Sequence, residues 1–199
     1  MVVLNALIHD KWQHAESWPE MSALISEVML NLKAEGAVSH GTATFQDTGE
    51  DARFMFSHRR HHGDGDWPNN HLVVAVNRAT GYGGLIWYVT KDFPEKGGIY
   101  DHVWISDNPD PPMFDPRVVS DPCEPTFHDP RSALPLADVS AVLEEFCRVG
   151  TGDRPQSINW VRGWMNGHRL DRSRRAQSSV TAGEGHQLQQ HRVCLMWGP

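Results

Sequence analysis

Residues 71–90 read HLVVAVNRATGYGGLIWYVT, two apolar runs of strand length on either side of a short polar connection. Val, Ile, Tyr and Trp dominate both runs, a composition that suits a pleated, half-buried surface. Val73, Val74, Ala75 and Val76 follow one another without a polar break, so the first run is expected to be a central strand covered on both faces. The connection RATGYG holds the glycine that a tight turn requires for positive φ. GYGG at 81–84 introduces a strand and not a helix N-terminus, so it does not read as a phosphate cradle.

The same pattern continues outward. AVSHGTATF (37–45), ARFMFSH (52–58) and IYDHVWIS (99–106) have matching length and content, and DTGED, HRRHHGDGDWPNN and KDFPEKGG separate them. VVLNALI at 2–8 and SINWVRG at 157–163 are further strand candidates near the two ends. Two segments carry helical periodicity instead. From Pro19 to Lys33, Met21, Leu24, Ile25, Val28, Met29 and Leu32 make one buried face, and Gly36 lies just past the end. From Leu136, Val139, Val142, Leu143 and Phe146 make a second stripe that Gly150 and Gly152 close. The expected fold is α+β, a mostly antiparallel sheet of about five to six strands with helices packed on one face. Gly81, Gly83, Trp87, Trp104 and Trp160 take structural places in this reading, with the tryptophans in predicted strands.

Between the sheet and the second helix stands SDNPDPPMFDPRVVSDPCEPTFHDPRSALP (106–135), which holds eight of the chain's 13 prolines. Each proline removes an N–H donor and pushes the preceding residue toward extended geometry, so the segment is expected to be a long, stiff loop. Long loops inside compact domains are usually functional or disordered. This one carries Asp107, Asp110, Asp115, Asp121 and Asp129, with Met113, Phe114 and Phe127 among them.

The formal charge is −7, and it is unevenly spread. Residues 169–199 hold five arginines against Asp171 and Glu184, which leaves residues 1–168 at −10. An acidic domain repels phosphate backbones and attracts basic proteins, so nucleic acid is not an expected partner. Residues 1–165 read as a single domain and 166–199 as a basic, disordered tail rich in Gln, Ser, Arg and Gly. The RSRR of that tail is a charge cluster with too little aromatic interleaving for a nucleic-acid site. Cys123, Cys147 and Cys194 have no CxxC spacing, so neither a disulfide framework nor a zinc knuckle is readable. The apolar start lacks the basic n-region of a signal peptide, and no run reaches membrane-spanning length, so a cytoplasmic location without membrane contact is expected.

Candidate chemistry is sparse. No GxSxG elbow, Walker loop or GxGxxG occurs. His58, His61 and His62 with Asp64 and Asp66 form the one cluster of metal-ligating types, and a metal-dependent enzyme built on it is the alternative function. Its spacing matches no helical HExxH, and a solvated polar connection explains it as well. His40, His71, His102 and His128 are isolated and read as surface or satisfied core residues. Glu144 and Glu145 fall on the solvent side of the second helix. No cofactor is implied.

NRATGYGGLIWYVT, DPRVVSDP, DPRSALPL and LEEFCRVGTGDRPQSINWVRG together resemble actinobacterial members of the "immunity protein one" family of bacterial polymorphic toxin systems. The resemblance covers residues 69–163. It implies a small cytoplasmic α+β protein, encoded beside a toxin gene, that protects the producer by binding the toxin domain. The toxins paired with this family are often predicted nucleic-acid deaminases. The family offers no catalytic motif to carry over, and its recurrent positions fall here on Gly81, Tyr82, Gly83, Leu85 and Trp160. The expected partner is therefore a basic cognate toxin, and the expected contact residues are the five aspartates of the loop with Met113, Phe114 and Phe127 as apolar anchors.

Overall fold

A computed structural model describes residues 2–40, 43–63 and 65–171. Its elements run β1 (Val3–Ile8), β2 (Lys11–Ala15), α1 (Trp18–Asn31), β3 (Gly36–His40), β4 (Ala43–Asp47), β5 (Ala52–Ser57), β6 (Asn70–Asn77) and β7 (Tyr82–Val89). There follow β8 (Val103–Asp107), β9 (Val119–Asp121), β10 (Thr126–Phe127), β11 (Leu134–Pro135), α2 (Leu136–Val149) and β12 (Asn159–Gly163). The fold is α+β. Seven strands pair in the order β12, β8, β7, β6, β5, β1, β2, all antiparallel, and β11 adds an eighth beside β7. This is slightly more strands than the composition suggests.

The quoted hairpin sits at the centre. β6 is buried along its whole length, and its register with β7 places Leu72 opposite Trp87 and Val74 opposite Leu85. Alternation along the strands puts Leu4, Ala6, Phe54, Phe56, Leu72, Val74, Leu85 and Trp87 on one face, where α1 and α2 cover them. The α1 stripe buries Leu24, Ile25 and Val28, and Glu20 reaches back to the Ser17 N–H at 3.0 Å to start the helix. The α2 stripe buries Val139, Val142, Leu143, Phe146 and Cys147, and Gly150 ends it in the left-handed region at φ 68°.

Positive φ (82°) explains the first glycine of GYGG, Gly81, and close approach explains the other two. A Cβ on Gly83 would lie 2.8 Å from the Ala75 carbonyl oxygen and 3.0 Å from a methyl of Val139, so glycine lets α2 settle onto the sheet. Gly84 faces the other side, where a Cβ would meet the His128 ring at 2.4 Å. Trp87 is fully buried and donates its indole N–H to the Gly152 carbonyl at 3.0 Å. Trp104 and Trp160 are half-buried and donate to Ile99 and Pro155, and Arg154 lies 4.3 Å from the Trp104 ring centre.

The structure departs from the sequence reading in several places: the strand expected from Ile99 begins at Val103, and the segment expected to be loop carries the short strands β9, β10 and β11. β2 is an extra strand, reached through a turn with positive φ at His9 (52°) and Asp10 (57°). AVSHGTATF forms two strands, β3 and β4, paired with each other in a hairpin outside the main sheet. Glu145 is half-buried and bound to the chain, because its carboxylate accepts the N–H groups of Gln156 and Ser157 at 2.7 and 3.0 Å. The packed chain also runs beyond residue 165. Gly163 bridges to Arg169, the Trp164 N–H donates to the His168 carbonyl, and the Arg169 side chain is buried. The rest of the expected tail, 172–199, lies outside the described residues.

Candidate partner-binding surface

The second face of the sheet carries the proline-rich segment. Val118, Val119 and Ala133 pack on Ala75 with Tyr82 and Phe127 beside them. Within the segment β9 and β10 form a small hairpin, and β11 occupies the edge of β7 that β8 leaves open. Ser106 fills the divergence, accepting the Leu85 N–H at 3.1 Å while donating to the Ser132 carbonyl at 2.6 Å.

Side chains of the sheet hold this segment at its base. Asn77 donates to the carbonyls of Pro116 and Arg117, and Asn108 donates to that of Ala133 at 2.6 Å. Arg169 is the clasp. Its guanidinium donates to Asp107 at 2.7 Å, to both carboxylate oxygens of Asp171 at 2.9 and 2.7 Å, to the Arg131 carbonyl and to the Ser132 hydroxyl. Hydrogen bonding to Arg169 pulls the Asp171 carboxyl below its ordinary value. Proline supplies stiffness, and these bonds supply attachment.

The five aspartates therefore divide. Asp107 is bound to Arg169, and Asp129 pairs with Arg131 at 3.1 Å while accepting the Arg131 N–H at the start of a short turn. Asp121 accepts the N–H groups of Cys123 and Glu124, and Asp115 that of Arg117. Asp110 is exposed. None of Asp110, Asp115 and Asp121 enters an ion pair among the described residues. Met113 is 101% exposed and Phe114 51%, which makes them a projecting apolar tip, with Phe114 edge-on to Tyr82 at 5.9 Å. Phe127 is not part of that tip. It is half-buried beneath Arg117, whose guanidinium carbon lies 3.6 Å from the ring centre and which is itself paired with Glu35 at 2.6 Å.

The histidine cluster does not converge. His61 is buried, with its N–H held by Asn5 and its Nδ1 2.7 Å from the Asp66 carbonyl oxygen. The His62 ring packs edge-on against His14, His58 is exposed, and the Asp66 carboxylate meets Arg59. Asp64 lies outside the described residues. Among the described residues no three His, Cys, Asp or Glu side chains are placed to hold a metal ion. Of the isolated histidines, His71 and His128 are buried, each with an Nδ1 that has no hydrogen-bond partner, and burial drives their values down to about 3 and about 4. His102 is 3.0 Å from Arg162.

The sequence model of one protein family, Immunity protein Imm1, matches residues 12–162, well over half of the chain. The chain belongs to the Imm1 family of immunity proteins. The Imm1 match runs from β2 into β12, so it spans both helices, the central hairpin and the whole of the anchored loop. Arg169, which clasps that loop, lies past its end. Comparison with curated proteins and with solved structures finds no match. Among the described residues no helix is long and apolar enough to cross a membrane.

Proposed function

We propose that the protein acts in the cytoplasm as the immunity partner of a basic toxin domain, binding it through the tip of the anchored loop and occluding it without chemistry of its own. Membership of the Imm1 family supports the immunity role. The observation that carries the surface is a fully exposed Met113 and a half-exposed Phe114 beside the exposed acids Asp110 and Asp115, which enter no ion pair among the described residues. An apolar anchor inside a charged rim is the arrangement in which a few residues supply most of the binding free energy. Attachment at Asn77, Asn108 and Arg169 reduces the ordering cost of binding. The net charge of −10 on residues 1–168 steers a cationic cleft toward the tip.

The test is the association kinetics of the toxin domain encoded beside this gene. Reversing Asp110, Asp115 and Asp121 to lysine slows association and flattens its salt dependence, whereas Met113→Ala with Phe114→Ala accelerates dissociation. Unchanged kinetics in both variants would exclude the tip as the contact.

A further inference from the structure

On the face of the sheet that the helices cover, the end of α2, the turn at Gly98–Asp101 and the connection GTGDRP (150–155) enclose an open cavity of about 290 Å³. Ile99, Tyr100, Phe146, Val149 and Pro155 give it apolar walls, and Arg154 is the one cation among the described residues that line it. The connection is pinned in place. Trp87 donates its indole N–H to the Gly152 carbonyl at 3.0 Å, Trp160 donates to the Pro155 carbonyl at 2.8 Å, and the Tyr100 hydroxyl donates to Asp153 at 3.1 Å. Arg154 is thereby held with its guanidinium carbon 4.3 Å from the Trp104 ring centre.

That guanidinium has no counter-charge. Its Nε and Nη1 are buried without a hydrogen-bond partner, and no acid pairs with it among the described residues, so Nη2 is the nitrogen left open to a ligand. Glu145 and Asp153 border the same cavity, but both oxygens of each are already engaged. Glu145 accepts the N–H groups of Gln156 and Ser157, and Asp153 accepts the hydroxyls of Tyr100 and Thr151. Burial lowers the Arg154 guanidinium below its ordinary value, whereas hydrogen bonding to Glu35 and to Asp129 raises Arg117 and Arg131.

A half-buried cation with only an aromatic face against it gains from an anion within reach. The two carboxylates at the rim limit the charge of that anion, since they tolerate a monoanion beside Arg154 and oppose a phosphate dianion. Apolar walls call for an apolar body on the same ligand. A glutamate side chain offers only its methylenes, while a chain terminus brings a whole aliphatic side chain together with a carboxylate.

We propose that this cavity receives the C-terminal residue of a partner protein, its carboxylate on Nη2 of Arg154 and an aliphatic side chain against Phe146, Val149 and Pro155. The inference rests on the reading of the chain as a binding protein and adds a contact on the opposite face of the sheet from the loop tip.

The experiment uses the whole protein with N-acetyl-leucine as the probe. The readout is the NMR signals of the Gln156 amide and of the Trp104 indole N–H, which donates to Ile99 in the cavity wall. N-acetyl-leucine moves both signals saturably, and the uncharged N-acetyl-leucinamide does not. Arg154→Gln weakens N-acetyl-leucine at least about tenfold, the loss of one charge-assisted hydrogen bond. Val149→Glu, at a position 56% exposed, puts a like charge at the rim without touching the core and weakens it too, which separates loss of the site from misfolding. Equal response in wild type and Arg154→Gln overturns the proposal. So does N-acetyl-leucinamide acting like the acid, inorganic phosphate binding as tightly, or the α-amide of N-acetylglutamate binding more tightly, which would mark an apolar cavity, a general anion site or a seat for acidic side chains. No toxin takes part in this titration, so its failure and failure of the tip variants are separate results.

Discussion

Replacing Arg169 with methionine removes the clasp of the loop while keeping much of the apolar stem in place. The lost guanidinium is 3% exposed and makes five hydrogen bonds, two of them to Asp171 at 2.9 and 2.7 Å and one to Asp107 at 2.7 Å. Removing one partner of a buried ion pair costs ~3–5 kcal/mol. Asp107 and Asp171 are 33% and 41% exposed, so both recover water in the variant and the lower end, about 3 kcal/mol, applies. For a domain of this size that lowers Tm by roughly 6–12 °C. The pH dependence carries a second signature. The Asp171 carboxyl is held below 3.8, first by its hydrogen bonds to Arg169. A depressed carboxyl contributes stability that is present above its unfolded value and is lost as pH falls through its folded one. The difference in Tm between wild type and Arg169→Met is therefore full at pH 7 and shrinks below about pH 4. Differential scanning calorimetry at both pH values reads it. A Tm within about 1 °C of wild type at pH 7, or a difference that does not change with acid, would refute the clasp.

Gly84→Ala places a methyl 2.4 Å from the His128 ring, and denaturant unfolding is expected to show a loss of about 1–3 kcal/mol, the usual cost of overpacking. His71 and His128 titrate near 3 and 4 in the folded protein against an ordinary 6.5. The unfolded chain thus takes up protons first, and stability that is full above pH 6.5 falls on acidification toward pH 4 by on the order of several kcal/mol. Equilibrium unfolding across that range checks this, and a flat profile would contradict the burial of the two rings.

Periodicity exposed the core of the fold because the central elements obey it without exception. β6 is apolar from Leu72 to Val76 and buried along its whole length, and the α1 and α2 stripes meet the same sheet face. β2 escaped because Ala15 is its only buried residue and its turn is built from His9 and Asp10 in place of the Asn-Gly or Asp-Gly pair that signals a hairpin. AVSHGTATF read as a single strand because apolar and β-branched residues stand on both sides of its one glycine, Gly41. For the loop, composition located the acids but not their partners. Asp107 and Asp129 look like Asp110 in the sequence, and only tertiary structure brings Arg169 and Arg131 to the first two.

Oxidative footprinting of Met113 tests the loop tip as the contact most directly. Met113 is 101% exposed, and Met165, 53% exposed near Tyr88 at the far end of β7 from Phe114, serves as the internal control. With the cognate toxin domain bound, Met113 oxidation is expected to fall at least about tenfold, as desolvation at an interface centre implies, while Met165 oxidises at its free rate. A saturated complex in which Met113 oxidises as fast as in the free protein would contradict the account.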